Sequence, residues 1–429
     1  MRSPDLRRLL VLGLPTFGMA LAITVVSTYL PVVARGEGGS TTAIGVIIGG
    51  EGLIALWLPV LVGSRSDRLR TPIGGRLPFV LGGTPVMAVC LCVAGLVHSV
   101  VAMGLVVGVF FTGYFVAYEP YRALYPDLVP DEVAGRSQSV QAGFRGVGTG
   151  LALVSGGLLL SLANFVPFVF AAVLLVASVV AFVFLLLGRG YADNLHGTGE
   201  EDAAESGYAR VWELLRERRA LRLFLVANGL WELSLGAIKT FVVLYVTAGL
   251  GYSLGQASLI VGAVAVIVLA GALASGRLGD RHGRLRVVEA GLWVYGVTLL
   301  VPGLTTAPAA ILAAIPFVAL GGGMLMSLPY SLLMPLMPEG EHGALTGLYS
   351  LSRGLGVMLG PLLAGVAIQL AEPLFSSTEG YAATWWVAGL AVLVSLVPLR
   401  RLRKVISLGA SDSEHGGVCS KSDAAFSQT

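Results

Sequence analysis

The chain consists of long apolar runs separated by short charged or turn-forming segments. An α-helix needs roughly 20 apolar residues to cross the hydrocarbon core of a bilayer, and about twelve runs reach that length. They cover residues 9–33, 43–63, 77–97, 100–121, 137–162, 165–188, 221–247, 254–276, 287–305, 308–335, 344–370 and 382–398. The pattern predicts an all-α membrane protein with twelve transmembrane helices.

The charged residues lie mostly between these runs, and their distribution predicts an orientation. If both termini are cytoplasmic, the outer loops contain one cation, Arg35, and the inner segments hold nearly all the others. Cytoplasmic loops of membrane proteins carry an excess of Lys and Arg. We therefore expect a multi-pass protein of the plasma (cytoplasmic) membrane with both termini inside the cell.

Composition excludes several classes of function. Hydrophobic residues make up 55% of the chain and charged residues 12%, which is far from a soluble domain. The net charge of +3 comes from arginines at the ends of apolar runs, so it does not indicate nucleic acid binding. The five histidines and three cysteines form no ligand or disulfide pattern, and no nucleophile elbow or phosphate loop is present. We expect no enzyme activity, no cofactor and no metal.

The two halves of the chain repeat each other. The segment that starts at Leu124 aligns without gaps with the segment that starts at Leu332, 208 residues further on. The loop GSRSDR at Gly63 returns as GRLGDR at Gly276, again between the second and third runs of its half. Such a parallel duplication predicts two six-helix bundles around a central pathway.

The duplication also predicts the domain boundaries. We expect an N-terminal six-helix bundle at 1–188 and a C-terminal bundle at 221–404. The polar, acidic segment 189–220 between them is predicted to be a cytoplasmic linker. The Ser-, Gly- and Asp-rich end, 405–429, is predicted to be a disordered cytoplasmic tail.

These residues resemble the major facilitator superfamily over about residues 7–404, since the G-x-x-x-D-R loop of both halves is similar to its loop signature. Within that loop, SDRLRTPIGGRLPF is similar to the loop of sucrose-transporter-like proteins and of the glycoside and hexuronide cation symporters, although Gly75 and Leu77 replace two arginines. The segment YRALYPDL at Tyr121 is similar to the sequence after their fourth helix. The resemblance implies a secondary active transporter that works by alternating access, with a sugar or glycoside as the best guess for its substrate.

The exporter branch of the superfamily is the main alternative. The segment RGLGVMLGPLLAG in the eleventh run resembles its G-x-x-x-G-P signature, but that signature normally belongs to the fifth run, which here lacks the proline. The fourth run also lacks the arginine that typifies proton-driven drug antiporters. We therefore favour proton-coupled symport over proton-antiport of drugs or secondary metabolites. A non-transporting membrane sensor or assembly factor with the same fold is an alternative of another class.

Ionisable residues within the runs are the candidates for ion coupling. A charge at the bilayer centre costs at least about 2.5 to 3.5 kcal/mol, so such residues usually face a cavity or a partner. Glu232 and Glu51 lie near the middle of the seventh and second runs, and Lys239 follows Glu232 on nearly the same helix face. We expect Glu232 to bind the coupling ion, H⁺ or Na⁺, with Lys239 as its neighbour. The alternative is that Glu232 or Glu51 only neutralises Lys239, and Glu119 is a further candidate.

Two further groups of residues are predicted to contact the solute or to gate the pathway. By analogy with the superfamily, the first, fourth, seventh and tenth helices surround the cavity. Their candidate contacts for a small-molecule substrate are Asn228, Trp231, Tyr29, Tyr114, Tyr118 and Tyr330, each of which could equally be a packing residue. The candidate gating residues are Gly63, Asp67, Arg68, Gly276, Asp280, Arg281, Arg145 and Arg353. The expected partners are the solute, the coupling ion and the lipid bilayer, and the chain is expected to act as a monomer.

Overall fold

The computed structural model of the chain describes residues 6–129, 133–187, 215–334 and 342–416. Within these ranges it is built from helices and short connections. The first half contains α1 (Leu6–Gly36), α2 (Thr41–Ala55), α3 (Leu58–Arg68), α4 (Leu77–Ala94), α5 (Val100–Leu128), α6 (Ala134–Leu160) and α7 (Val166–Leu187). The second half contains α8 (Arg219–Leu244), a π turn (Tyr245–Gly249), α9 (Leu254–His282), α10 (Arg284–Leu299), α11 (Val301–Leu304), α12 (Pro308–Ser327), α13 (Pro329–Leu333), α14 (His342–Ala371), a 3₁₀ turn (Ser376–Thr378) and α15 (Ala383–Gly416).

The predicted twelve spans are confirmed, because 12 helical segments are long and apolar enough to cross a membrane. The second span differs from an unbroken helix, since α2 ends at Ala55 and α3 begins at Leu58, next to Pro59. The tenth span ends earlier than its apolar run, because Pro329 begins the separate helix α13. Proline has no backbone N–H and its ring crowds the preceding turn, so it favours the start of a helix over its interior.

The segments outside the bundles are only partly described. Residues 188–214, which form most of the predicted linker 189–220, lie outside the described residues, as does the tail beyond Gly416. The backbone of α15 continues as helix from Ala383 to Gly416, into the first part of the segment 405–429.

The described chain divides into two compact units. Unit 1 contains α1 to α7 together with Val242–Thr247 and Gly251–Gly262, and unit 2 contains the rest of the second half. Glycines let the segment Gly251–Gly262 pack closely within unit 1: a Cβ atom on Gly157 would lie 2.5 Å from the carbonyl oxygen of Leu254. Small residues at a helix crossing allow such an approach.

The loop between the second and third spans is anchored in the same way in both units. The guanidinium of Arg76 donates a hydrogen bond to the carbonyl oxygen of Ala123 near the end of α5. Arg284, 208 residues further on, donates at 3.3 Å to the carbonyl oxygen of Ser331 in α13. The two acceptor residues, Ala123 and Ser331, are also 208 residues apart. These arginines therefore hold the loop signature on the end of the fourth span of each half.

Candidate transport site

The crossing of α8 and α14 in unit 2 positions the candidate coupling residue Glu232. Gly356 on α14 packs directly on α8, so that a Cβ atom there would lie 2.5 Å from the carbonyl oxygen of Gly229 and 2.6 Å from the Cβ atom of Glu232. Gly360, one turn further along α14, faces the backbone of Leu233. This packing places Arg353, three residues before Gly356 on α14, close to Glu232 on α8.

Glu232 forms an ion pair with Arg353, at 3.7 Å between Arg353 Nε and Glu232 Oε1. The Glu232 side chain is 18% exposed and that of Arg353 is 48% exposed. Lys239, which the sequence predicts as the neighbour of Glu232, lies seven residues further along α8, roughly 10.5 Å along its axis, and its role as that neighbour stays a prediction. The structure thus adds Arg353, which the sequence suggested only for gating, to the surroundings of Glu232.

Glu289 is a second largely buried carboxylate in unit 2, and its contacts with arginine differ from those of Glu232. It accepts hydrogen bonds from two arginines of α15, at 2.8 Å from Arg400 Nε and 3.0 Å from Arg403 Nη1. The guanidinium of Arg400 also lies 5.4 Å from the centre of the Trp293 ring. Glu289 is therefore held by two short contacts, whereas the ion pair between Glu232 and Arg353 is longer; the arginines of both sites are about half exposed.

The polar neighbours of Glu232 on α8 are buried in this structure. Asn228 is fully buried and its side-chain nitrogen donates to the hydroxyl of Ser352 at 3.1 Å. Trp231 is 1% exposed, and its indole nitrogen donates to Ser395 of α15 at 2.8 Å. Both side chains thus pack helices together here and present no surface to a solute, so their predicted role as substrate contacts stays a prediction.

In unit 1, a cluster of aromatic and basic residues joins α5 and α6. Arg145 on α6 donates a hydrogen bond to the hydroxyl of Tyr118 at 2.8 Å. Tyr118 stacks on Tyr114 with ring centres 5.0 Å apart, and the guanidinium of Arg122 lies 5.6 Å from the Tyr118 ring. Arg122 is also 3.8 Å from Glu119, one turn earlier. The structure therefore brings together four residues that the sequence had assigned to three different roles.

Tyr29, another predicted substrate contact, is fully buried in unit 1. Its hydroxyl lies 2.5 Å from the carbonyl oxygen of Leu153 and 2.6 Å from the hydroxyl of Ser258. Ser258 in turn accepts a hydrogen bond from the backbone nitrogen of Gly157 at 2.7 Å. Tyr29 is thus part of a network that fixes the segment Gly251–Gly262 to α6.

The remaining predicted residues are less closely connected. Glu51 is buried four residues before the end of α2, just ahead of the break in the second span. Gly63 lies in α3, Arg68 is its last residue, and both Arg68 and Arg281 are exposed. The side chains of Asp67 and Asp280, and the surroundings of Gly276 and Tyr330, lie outside the described part of the structure. Their predicted roles stay predictions.

Sequence reasoning missed a hydrogen-bond network near the C-terminal end of α5. The hydroxyls of Tyr121 and Tyr125 lie 3.0 Å apart, and Tyr121 also bonds to Thr16 at 2.7 Å and to the carbonyl oxygen of Leu12. The spacing of four residues between the two tyrosines was a signal that they share a helix face. Their partners on α1 were visible only in the folded chain.

Comparison with known proteins identifies the family of this fold. The family model described as Major Facilitator Superfamily matches residues 12–241 and 232–418. An uncharacterized MFS-type transporter of Methanocaldococcus jannaschii is 21% identical over 365 residues, which are 84% of this chain and 90% of that protein. Multidrug resistance protein 3 of Bacillus subtilis is 28% identical over 101 residues, 24% of this chain and 20% of that protein.

A solved structure agrees with the family match. The crystal structure of a bacterial homolog of the human lysosomal transporter Spinster, in an inward-facing and unoccupied conformation, superposes with a TM-score of 0.76. The alignment covers 93% of this chain and 97% of that one at 13% identity. At this identity the likeness concerns the fold alone.

Proposed function

The chain belongs to the Major Facilitator Superfamily, and we propose that it is a proton-coupled symporter of a small organic solute, with a sugar or glycoside as the first class to test. It is a multi-pass membrane transporter of twelve helices, and its family and fold are those of transporters and not of enzymes. Members of this family bind small-molecule substrates and lie in the lipid bilayer. Coupling to protons and a sugar or glycoside as substrate are what we propose beyond the family.

The loose ion pair between Glu232 and Arg353 is the observation that carries the coupling proposal. Exposed or half-exposed ion pairs contribute only about 0 to 1 kcal/mol, because water screens them. At 3.7 Å and with Arg353 48% exposed, this pair is of that kind. A proton on Glu232 disrupts this one contact at 3.7 Å, whereas a proton on Glu289 would disrupt two shorter ones, at 2.8 and 3.0 Å. Glu232 is thus the carboxylate best suited to exchange a proton with the pathway.

The proposed cycle follows from the charges of this pair. When Glu232 is ionised, it neutralises Arg353, and the pair has no net charge. When Glu232 takes up a proton, its ion pair with Arg353 is lost, and the guanidinium donor that faced Glu232 becomes available to an acceptor oxygen of the solute. Release of the solute and the proton on the other side restores the pair. A buried charge without polar partners is costly, so we expect the carrier to reorient with the pair restored, or with acceptor oxygens of the solute hydrogen-bonded to the arginine.

Transport in reconstituted vesicles tests this cycle. Purified protein is first screened with sugars and glycosides for a solute that raises its unfolding temperature, and that solute is used for transport. The variant Glu232→Gln, which mimics the protonated state, should retain exchange of labelled solute between vesicle and medium. It should lose accumulation driven by a pH gradient, since the variant side chain cannot release a proton.

Glu289→Gln is the matched control, since it removes another arginine-paired carboxylate of unit 2. This control should still accumulate solute in response to the pH gradient. If Glu232→Gln also accumulates solute, Glu232 is not the coupling residue, and Glu51 or Glu119 becomes the candidate. Replacing the pH gradient by a Na⁺ gradient distinguishes the two possible coupling ions.

Export of drugs is the second candidate function, and one observation favours it. The relative from B. subtilis is named as a multidrug resistance protein, although the match covers 24% of this chain. The direction of transport decides between the two functions. An exporter would expel an amphipathic dye from cells when the proton gradient is present, whereas a symporter would take up its solute.

The orientation is part of the same proposal. We place the protein in the plasma membrane as a monomer with both termini and the linker in the cytoplasm. Single cysteines introduced at Gly36 and Ser206 in a cysteine-free background should then react with an impermeant thiol reagent from opposite sides of the membrane. Gly36 is a suitable position because no atom lies within 4 Å of a Cβ added there. Labelling of both sites on intact cells would contradict the orientation.

A further inference from the structure

Two arginines occupy equivalent positions in the repeat but differ in their surroundings. Arg145 and Arg353 are 208 residues apart, and each lies 11 residues after the first residue of its helix, α6 or α14. Both are exposed. Arg353 has the carboxylate Glu232 at 3.7 Å, whereas Arg145 bonds to the hydroxyl of Tyr118. Among the described side chains, no carboxylate lies at ion-pair distance from Arg145.

The contacts of two equivalent glycines show why Arg145 has no such counter-ion among the described residues. Gly148 on α6 packs against the backbone of Phe17 and Leu21 on α1, and Gly356 on α14 packs against that of Gly229 and Leu233 on α8. Both pairs of contacts give an offset of 212 residues between α1 and α8. The position on α1 that corresponds to Glu232 is therefore Ala20.

The side chains near Arg145 on α6 are polar. On α6, Arg145 lies one turn after the buried Gln141 and one turn before Thr149, whose hydroxyl is 3.5 Å from that of Thr24. Arg145 lies roughly 13 Å along the helix axis from Arg136, where its span begins. A guanidinium at that depth is costly unless it meets water or an anion. The nearby Arg122 adds a second positive charge, which Glu119 offsets at 3.8 Å. Counting the described side chains of this cluster, one positive charge remains for a ligand.

We propose that Arg145, with the hydroxyl of Tyr118 beside it, binds an anionic group of the transported solute. A carboxylate or phosphate would take the place that Glu232 holds beside Arg353 in the other unit. This inference rests on the proposed transport function and narrows its substrate class to small organic anions. Arg145 has guanidinium donors beyond the one used by Tyr118, and hydrogen bonds between a guanidinium and an anionic oxygen are roughly twice as strong as neutral ones.

The test measures binding to the full-length purified protein in detergent, which requires neither transport nor proton coupling. The probes are two matched pairs that differ by a charge: galacturonate with galactose, and benzoate with benzamide, at equal ionic strength. Binding is followed as the concentration-dependent rise of the unfolding temperature, which gives an apparent affinity. At least one acid should bind about tenfold or more tightly than its neutral partner.

The variant Arg145→Gln should remove this preference, so that the acid binds no better than its neutral partner. Arg136→Gln is the control, because Arg136 is an exposed arginine on the same helix, nine residues earlier. It should leave the preference unchanged. A purely structural role of Arg145 would instead lower the unfolding temperature without ligand and leave the acid-induced rise intact.

A second variant supplies the missing counter-ion. Ala20→Glu should abolish acid binding in the same way as Arg145→Gln, since the new carboxylate neutralises Arg145 from within the chain. Equal binding of acid and neutral partner by the unmodified protein in both pairs would overturn the proposal. So would an Arg145-dependent stabilisation by phosphatidylglycerol without any by the soluble acids, because the anion would then be a lipid. Loss of coupling in Glu232→Gln bears on the transport cycle and not on this binding measurement.

Discussion

Replacing Gly356 by alanine should separate α14 from α8 and weaken the pair on which the proposed coupling depends. An added Cβ atom would lie 2.5 Å from the carbonyl oxygen of Gly229 and 2.9 Å from the backbone nitrogen of Leu233. Both are backbone atoms, so no flexible side chain can move aside. To restore ordinary contact at 3.4 Å, the helices must move apart locally by about 0.9 Å.

The cost of this change can be estimated from overpacking of helix interfaces. Extra carbon atoms in a well-packed interior cost about 1 to 3 kcal/mol. Alanine favours the helix over glycine by about 1 kcal/mol, which partly offsets the clash. Gly347→Ala on the same helix receives the same propensity gain without the clash, since nothing lies within 4 Å of its added Cβ atom. The difference between the two variants therefore isolates the steric effect.

Two measurements check this reasoning on purified protein. Gly356→Ala should unfold at a lower temperature than Gly347→Ala, which should equal or exceed the unmodified protein. Separation of the helices should also lengthen the Glu232–Arg353 pair beyond its present 3.7 Å, so accumulation of solute should fall more than binding of solute. If Gly356→Ala is as stable and as active as Gly347→Ala, the close crossing at Gly356 does not position the pair.

Two other predictions use matched controls within unit 1. Arg76→Gln removes the hydrogen bond to the end of α5, so it should lower the unfolding temperature and increase proteolysis of the loop after α3. The control Arg70→Gln, at an exposed position of the same loop, should change neither. Gly157→Ala should displace the segment Gly251–Gly262 from α6, since the added Cβ atom lies 2.5 Å from a backbone oxygen of Leu254. A reporter cysteine at the buried Ala257 should therefore be labelled faster by a thiol reagent with Gly157→Ala than without it. Gly150→Ala, whose added Cβ atom has no neighbour within 4 Å outside its own stretch of helix, should not change the labelling. Unchanged labelling in Gly157→Ala would show that the segment is held by other contacts.

The sequence by itself determined the fold class of this protein. Spanning helices must satisfy their backbone groups internally and need apolar runs of a definite length, so the twelve spans could be counted directly. The 208-residue repeat likewise identified the two halves, and the loop resemblance identified the superfamily. It did not determine where the helices of the second and tenth spans are interrupted, because the prolines at positions 59 and 329 act locally on an otherwise continuous apolar run.

Only the tertiary structure decided which charged and polar side chains meet. The sequence ranked Glu232 as a coupling residue but paired it with Lys239 on its own helix, since contacts along one helix are the ones that spacing predicts. The ion pair joins Glu232 to Arg353, which lies 121 residues later in the chain, and the close packing of Gly356 on α8 brings the two together. The register of α1 against α6 is likewise a property of helix packing, and it matches that of α8 against α14. It shows that Ala20 stands where the second half has Glu232, and this difference in residue type is the reason that two equivalent arginines have different surroundings.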